Sequence, residues 1–186
     1  GAYVRKFEKK FAAFTGKKYG RATSSGTTAL HAALEAAGIE KGDKVLTAPF
    51  TFIASSNSIL YCDAEPVFCD VKPDTFNIDP EKIREKLEAE PDIKALLIVH
   101  LFGLACDMEK IMELVQEYDL TLIEDCAQAH GAEFKEDKVG SFGDISVFSF
   151  YPSKNIDSVA FSHKLFFYFH KIFCKFVLSI VLSVYY

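Results

Sequence analysis

Lys154 follows an apolar run, in a position where its amine could act as a nucleophile. The run spans residues 145–150 (ISVFSF) and leads into the turn Tyr151-Pro152. Pro152 holds its own φ at about −65°, which stiffens the turn. A lysine amine presented in this way can attack an aldehyde and form a Schiff base. The competing interpretation is a solvated loop lysine, so the neighbours of Lys154 must decide.

Further chemistry-bearing residues stand at the ends of other apolar runs. Asp125 ends the run LTLIED, Gln128 follows in EDCAQAHG, and Ser149 lies late in ISVFSF. Thr51 and Phe52 follow the run DKVLTAP. Each has a structural alternative: Asp125 could cap a helix, Gln128 and Ser149 could be ordinary polar residues, and Phe52 could belong to the core.

The stretch SSGTT at residues 24–28 opens a segment with helical spacing of apolar residues. It could be a simple N-cap, but the free N–H groups at a helix start also bind phosphate. Taken together, the set suits a phosphorylated aldehyde with a cationic ring. The helix start would bind the phosphate, an ionised Asp125 would pair with the ring nitrogen, and Lys154 would bond the aldehyde.

The order of predicted elements indicates how these residues converge. Continuous apolar runs such as IKALLIVHLFG and LTLIED are typical of strands buried on both faces. Helical segments alternate with them, for example DPEKIREKLEAE, which has Asp79 as its N-cap and Pro80 at its first position. The sequence therefore predicts a three-layer α/β fold with a mostly parallel sheet. Ligands of such sheets bind beyond the carboxyl ends of the strands.

Composition excludes several classes of protein. Hydrophobic residues make up 49% and charged residues 25%, which is a globular rather than a disordered balance. The net charge of −5 predicts no general attraction to nucleic acid or to an anionic membrane. The five cysteines include no CxxC pair, which indicates reduced thiols, a cytoplasmic location and no metal site.

Residues 161–186 break the pattern of the chain before them. This segment carries three lysines but no acidic residue, glycine or proline, and it holds six of the eighteen phenylalanines. Its uncharged run, 176–186, is too short for a bilayer, which needs about 20 residues. A membrane-associated tail is the weaker alternative. We predict a domain over residues 1–160 and a tail, 161–186, that is not part of the native fold.

The chain resembles the DegT/DnrJ/EryC1/StrS sugar aminotransferases, which have the aspartate aminotransferase fold. The resemblance covers almost all of residues 3–156, in the order of the family's motifs. The matching stretches are YVRKFEKKFAAFTGKKYG, SSGTTALHAAL, KGDKVLTAPFTFIASSNSILY, PVFCDVKPDTFNIDPEKI, VHLFG, IEDCAQAHGAEF and GSFGDISVFSFYPSKN. It implies that residues 1–160 are a large domain binding pyridoxal 5′-phosphate, incomplete at both ends.

The resemblance also implies a role for each candidate residue. Lys154 is similar to the Schiff-base lysine, Asp125 to the partner of the pyridine nitrogen and Gln128 to the residue near the phenolic oxygen. The remaining cofactor contacts that it implies are Ser149 and the helix start Gly26, Thr27 and Thr28 for the phosphate, with Phe52 stacking on the ring. His130 also belongs to the motif, with a structural role.

The implied activity is transfer of an amino group, with glutamate as donor, to a nucleotide-linked keto-sugar in amino-sugar and polysaccharide biosynthesis. Lysine rather than histidine at position 154 favours transamination over the family's dehydratases. The resemblance further implies a cytoplasmic homodimer for the full-length enzyme, with no nucleic-acid or membrane partner. The alternative is an inactive, truncated or degenerate family member, which the anomalous tail favours.

Overall fold

The structure, a computed structural model, describes residues 1–151, residue 154 and residues 179–183. Five α-helices belong to this part of the chain: α1 (Ala2–Phe14), α2 (Gly26–Ala36), α3 (Ala54–Tyr61), α4 (Pro80–Ala89) and α5 (Met108–Glu117). A short 3-10 helix, Leu101–Gly103, follows the longest described strand. None of the described helices is both long and apolar enough to cross a membrane.

The described strands are β1 (Tyr19–Thr23), β2 (Lys44–Thr47), β3 (Glu65–Phe68), β4 (Ile93–Val99), β5 (Thr121–Asp125), β6 (Glu133–Phe134), β7 (Asp137–Lys138), β8 (Ile145–Ser149) and β9 (Ser179–Ser183). Seven of them form the main sheet, in the spatial order β1-β9-β8-β5-β4-β2-β3. Strands β2, β3, β4, β5 and β8 run parallel, and β9 is antiparallel to both of its neighbours. A separate two-stranded hairpin is formed by β6 and β7.

The alternation of side chains along β4 shows how the sheet is covered on both faces. Ala95, Leu97 and Val99 pack into a cluster with buried residues of α2 and α3. Leu96 and Ile98 point to the opposite face and join a cluster with buried residues of α4 and α5. A strand whose two faces are both buried reads as a continuous apolar run. The predicted three-layer fold with a mostly parallel sheet is therefore confirmed.

Local signals in the sequence set the ends of the helices. The Ser25 hydroxyl accepts a hydrogen bond from the Thr28 N–H at the start of α2. Asp79 caps α4 by accepting from the Glu81 N–H, with Pro80 at the first helical position. Gly38 follows α2 with a φ of +72°, a left-handed conformation that favours glycine.

One observation in the structure concerns the prediction that residues 161–186 lie outside the native fold. Residues 179–183 form β9, which pairs with β1 on one side and β8 on the other. The rest of this segment, 161–178 and 184–186, lies outside the described residues. The tail as a whole, and with it the predicted boundary at residue 160, stays a prediction.

Candidate active site

A cavity of about 480 Å³ opens at the carboxyl ends of the parallel strands. It lies between the start of α2, the loop before α3 and the ends of β4, β5 and β8. Its described lining is Ser25, Gly26, Thr27, Leu30, Thr51, Phe52, Ala54, Val99, Asp125, Ala127, Gln128, Ser149, Tyr151 and Lys154. The structure thus brings together all of the predicted site residues except Thr28, as the rule for parallel sheets anticipates.

Asp125 lies at the end of β5 and is buried, with 5% of its surface exposed. Its Oδ2 accepts a hydrogen bond from the Ser55 hydroxyl at 3.1 Å. Its Oδ1 accepts from the Ala127 N–H, also at 3.1 Å. Burial raises the pKa of Asp125, and these two hydrogen bonds and the charge of Lys154 offset that effect in part. A cationic donor in the cavity would stabilise the ionised carboxylate.

Lys154 reaches the same cavity from the segment after β8. Its Nζ lies 5.8 Å from the centroid of the Phe52 ring, a cation–π distance. Its backbone N–H donates to the Tyr151 carbonyl at 2.9 Å, which closes a turn. Phe52 is 64% exposed, so the alternative that Phe52 belongs to the core is wrong. Pro152, which the sequence predicts to stiffen this turn, lies outside the described residues.

The start of α2 supplies the candidate anion site. The first N–H groups of a helix lack intrahelical acceptors, and those of Gly26 and Thr27 belong to residues on the cavity wall. Thr28 is placed differently, because its N–H donates to Ser25 Oγ and its hydroxyl lies 2.9 Å from the same oxygen. Ser149 completes this side of the cavity and is 5% exposed.

Gln128 also lines the cavity, and a hydrogen bond to its side-chain oxygen orients its amide. Its Oε1 accepts a hydrogen bond from the Phe102 N–H at 2.9 Å. Because the oxygen has this partner, the assigned orientation leaves the two N–H groups of the amide for other acceptors. Gln128 can therefore donate to an oxygen of a bound ligand.

His130 lies away from the cavity wall, among the aromatic side chains behind it. Its ring centroid is 4.9 Å from that of Phe150 and 5.4 Å from that of Phe148. Burial lowers the pKa of His130 to about 4. A neutral imidazole packed among phenylalanines agrees with the structural role expected for it.

Sequence reasoning missed Ser55, which donates a hydrogen bond to Asp125, the one acidic residue in the described lining of the cavity. Ser55 is fully buried near the start of α3, and its Oγ also lies 3.2 Å from the Thr51 hydroxyl. The stretch FIASSNS contains three serines at helical positions, and the sequence holds no signal that distinguishes Ser55 from the others. Its role depends on the approach of α3 to β5, two elements far apart in the chain.

The fold and this cavity define an α/β domain with a cavity of ligand size at the carboxyl edge of its sheet, lined by a lysine, a buried aspartate and a helix start. The chain belongs to the DegT/DnrJ/EryC1/StrS aminotransferase family, whose model matches residues 1–160.

Two curated relatives show how far the similarity extends. Over 158 residues the chain is 42% identical to GDP-perosamine synthase of Vibrio cholerae, covering 85% of this chain and 42% of that protein. Over 156 residues it is 45% identical to the UDP-N-acetyl-3-dehydro-alpha-D-glucosamine 3-aminotransferase of Acidithiobacillus ferrooxidans, covering 84% of this chain and 42% of the relative. The chain therefore spans about two fifths of the length of these relatives.

A solved structure gives the same result for the fold. The crystal structure of NtdA from Bacillus subtilis, with bound cofactor PMP, matches 100% of this chain and 38% of NtdA. The TM-score is 0.84 and the sequence identity is 33%.

Proposed function

We propose that this chain is the cofactor-binding part of a sugar aminotransferase that depends on pyridoxal 5′-phosphate. The observation that carries the proposal is the meeting of Lys154, Asp125 and the start of α2 at one cavity. An inactive family member is not favoured, because Lys154, Asp125 and Ser149 all line this cavity.

The residues at the cavity fit this cofactor. Ligand pockets usually have volumes of about 300–1,000 Å³, and this cavity falls in that range. Asp125 is a buried carboxylate whose charge is incompletely compensated. Phe52 offers an exposed ring face to the same space as the Lys154 amine. When bound, the cofactor supplies an aldehyde for covalent attachment and a ring that accepts electrons.

Each side chain then has a defined task. The N–H groups of Gly26 and Thr27, with Ser149, bind the phosphate. Asp125 keeps a proton on the ring nitrogen by its negative charge. The Lys154 amine would hold the cofactor through its aldehyde, with release of water, and when free it would be the base that moves a proton within the cavity. Gln128 donates from its amide to the ring oxygen.

The proposed substrates are a nucleotide-linked keto-sugar and glutamate, and the proposed product is an amino sugar for polysaccharide biosynthesis. The names of the two relatives support a nucleotide-linked substrate, since one is a GDP-sugar synthase and the other acts on a UDP-sugar. Spectral conversion of the loaded cofactor by glutamate but not by glutamine would support this donor, and the reverse would contradict it.

We also propose that the full-length protein is a cytoplasmic homodimer. Large apolar side chains are exposed near the site, including Phe52 at 64% and Phe102 at 71%. A second subunit would cover such a surface. The four described cysteines are buried and unpaired, which suits a reducing compartment.

Reductive labelling tests the central assignment. The 186-residue chain is incubated with pyridoxal phosphate, reduced with borohydride and digested, and the modified peptide is mapped by mass spectrometry. We expect label on Lys154 and its loss in Lys154→Arg. Lys110→Arg is the matched control, because Lys110 lies on the surface, paired with Glu81 at 3.0 Å. Label spread over surface lysines with Lys154 unmodified would overturn the proposal.

A further inference from the structure

The loop after β4 forms hydrogen bonds with a buried asparagine from another part of the chain. Asn77 is 4% exposed and lies just before α4. Its Oδ1 accepts from the Leu101 N–H at 3.0 Å. Its Nδ2 donates to the Leu104 carbonyl at 2.9 Å and to the Ala105 carbonyl at 3.2 Å. The amide therefore uses both of its N–H groups on this loop.

Phe102, inside the same loop, has a backbone conformation that needs support. Its φ is +55°, in the left-handed region that a bulky residue rarely adopts. Its side chain is 71% exposed, so packing of the ring does not hold the backbone in this conformation. The hydrogen bonds of Asn77 lie on both sides of it in the chain, at Leu101 and at Leu104. They hold the loop in a shape that would otherwise be unfavourable.

This backbone conformation in turn sets the orientation of Gln128. The Phe102 N–H donates to Gln128 Oε1 at 2.9 Å. If that N–H turned away, the amide of Gln128 could rotate and present its oxygen to the cavity instead of its N–H groups. A carbonyl oxygen there would repel an anionic oxygen of a ligand, whereas the amide N–H groups bind it.

We infer that Asn77 is a positioning residue for the cofactor: it holds the loop 101–105 so that the Phe102 N–H keeps the Gln128 amide donating into the cavity. The inference rests on the proposed function. Asn77 lies outside the cavity lining described above and acts through Gln128. The consequence is that Asn77 and Gln128 form one unit, and removing either should remove the same contribution.

A double-mutant cycle tests this unit in the loaded chain. The readout is the pH midpoint of the visible absorbance change of bound pyridoxal phosphate, measured in the wild type, Asn77→Ala, Gln128→Ala and the double variant. We expect each single variant to move the midpoint in the same direction. The double variant should move it no further than Gln128→Ala alone. An equal further displacement by Asn77→Ala in the Gln128→Ala background would overturn the inference.

A second readout does not depend on the cofactor. Amide hydrogen exchange of Phe102, followed by NMR in the ligand-free chain, should be at least about tenfold faster in Asn77→Ala, because the bonds that hold the loop are lost. Thr15→Val is the control for general destabilisation: Thr15 is 2% exposed, and its hydroxyl donates to backbone carbonyls of α1. If Asn77→Ala does not fold, Asn77→Asp retains the size and the acceptor and removes the donors.

The two readouts separate the failure of the inference from the failure of the proposed function. A wild-type chain that forms no visible band with pyridoxal phosphate would contradict the proposed function, and the exchange experiment would still decide whether Asn77 holds the Phe102 N–H. An unchanged exchange rate at Phe102 in the Asn77 variants would overturn the inference whatever the chain binds.

Discussion

Removing the hydroxyl of Ser55 should weaken cofactor binding through Asp125. In Ser55→Ala, Asp125 Oδ2 loses the donor that now lies at 3.1 Å, inside a site where Asp125 is 5% exposed. The pKa of Asp125 is already raised by burial, and the Ser55 hydroxyl is one of the interactions that oppose this effect. Its loss raises the pKa of Asp125 further and disfavours the carboxylate that must face the ring cation.

The size of the effect follows from the kind of hydrogen bond. A bond to a charged group contributes about 1.5–3 kcal/mol to stability. Because a factor of ten corresponds to about 1.4 kcal/mol, we expect the affinity for pyridoxal phosphate at neutral pH to fall about 10- to 100-fold. The assay is an absorbance titration with the cofactor, together with a ¹³C NMR pH titration of the Asp125 carboxyl in the ligand-free chain, which should move to higher pH.

Ser58→Ala is the matched control for this prediction. Ser58 lies on the same helix and is fully buried, but its hydroxyl donates to the Ser55 carbonyl at 2.8 Å and not to Asp125. It should therefore reproduce any loss of helix stability without the loss of affinity. Equal affinities and equal Asp125 titrations in Ser55→Ala and Ser58→Ala would refute the reasoning.

Three further predictions concern stability and the tail. Because burial lowers the pKa of His130 to about 4 from 6.5, stability should fall by about 3 kcal/mol as the pH drops from about 6.5 to 4, and His130→Phe should remove most of this dependence in urea titrations. Asp125 gives the opposite dependence of stability on pH: because its pKa is raised, stability falls as the pH rises above 3.8. Asp125→Asn should flatten that decline and abolish cofactor binding. A decline as steep as in the wild type would contradict this prediction. Deleting residues 161–186 should leave uptake of pyridoxal phosphate unchanged, because the described lining of the cavity lies between residues 25 and 154; loss of uptake would show that β9 is required.

The sequence predicts the buried strands well because they carry a strong apolar signal. The runs that become β4, β5 and β8 are almost entirely buried, and the resulting sheet brings their ends to one cavity. β1 was missed because its pattern is weak: only Gly20 of its five residues is buried. The hairpin of β6 and β7 has two residues in each strand, too few for a periodic pattern.

Some residues at the site can be predicted from the local sequence, whereas others depend on partners that are distant in the chain. Lys154, Asp125 and Ser149 could be predicted because each stands at or near the end of a recognisable strand. Ser55 and Asn77 could not, because their partners are distant in the chain: Ser55 contacts a residue 70 positions away, and Asn77 contacts backbone groups 24 to 28 positions away. Every residue type carries the backbone groups that Asn77 contacts, so the sequence does not indicate which residues will be its partners.

The two adjacent acids at the end of β5, Glu124 and Asp125, have opposite pKa shifts. Successive side chains of a strand point to opposite faces, so Glu124 and Asp125 enter different surroundings. Burial alone would raise the pKa of Glu124, but hydrogen bonds from the His100 ring and from the N–H groups of Gly143 and Gly140 lower it.

Asp125 has a net raised pKa, because its two hydrogen bonds do not compensate its burial. The pKa values of two adjacent carboxyl groups are thus shifted in opposite directions: hydrogen bonds from the protein lower that of Glu124, and burial raises that of Asp125 despite the nearby charge of Lys154. Neighbouring acids driven apart in this way are typical of functional sites. The residue that the fold leaves incompletely compensated is the one that faces the cavity, and a bound ring cation is what would complete it.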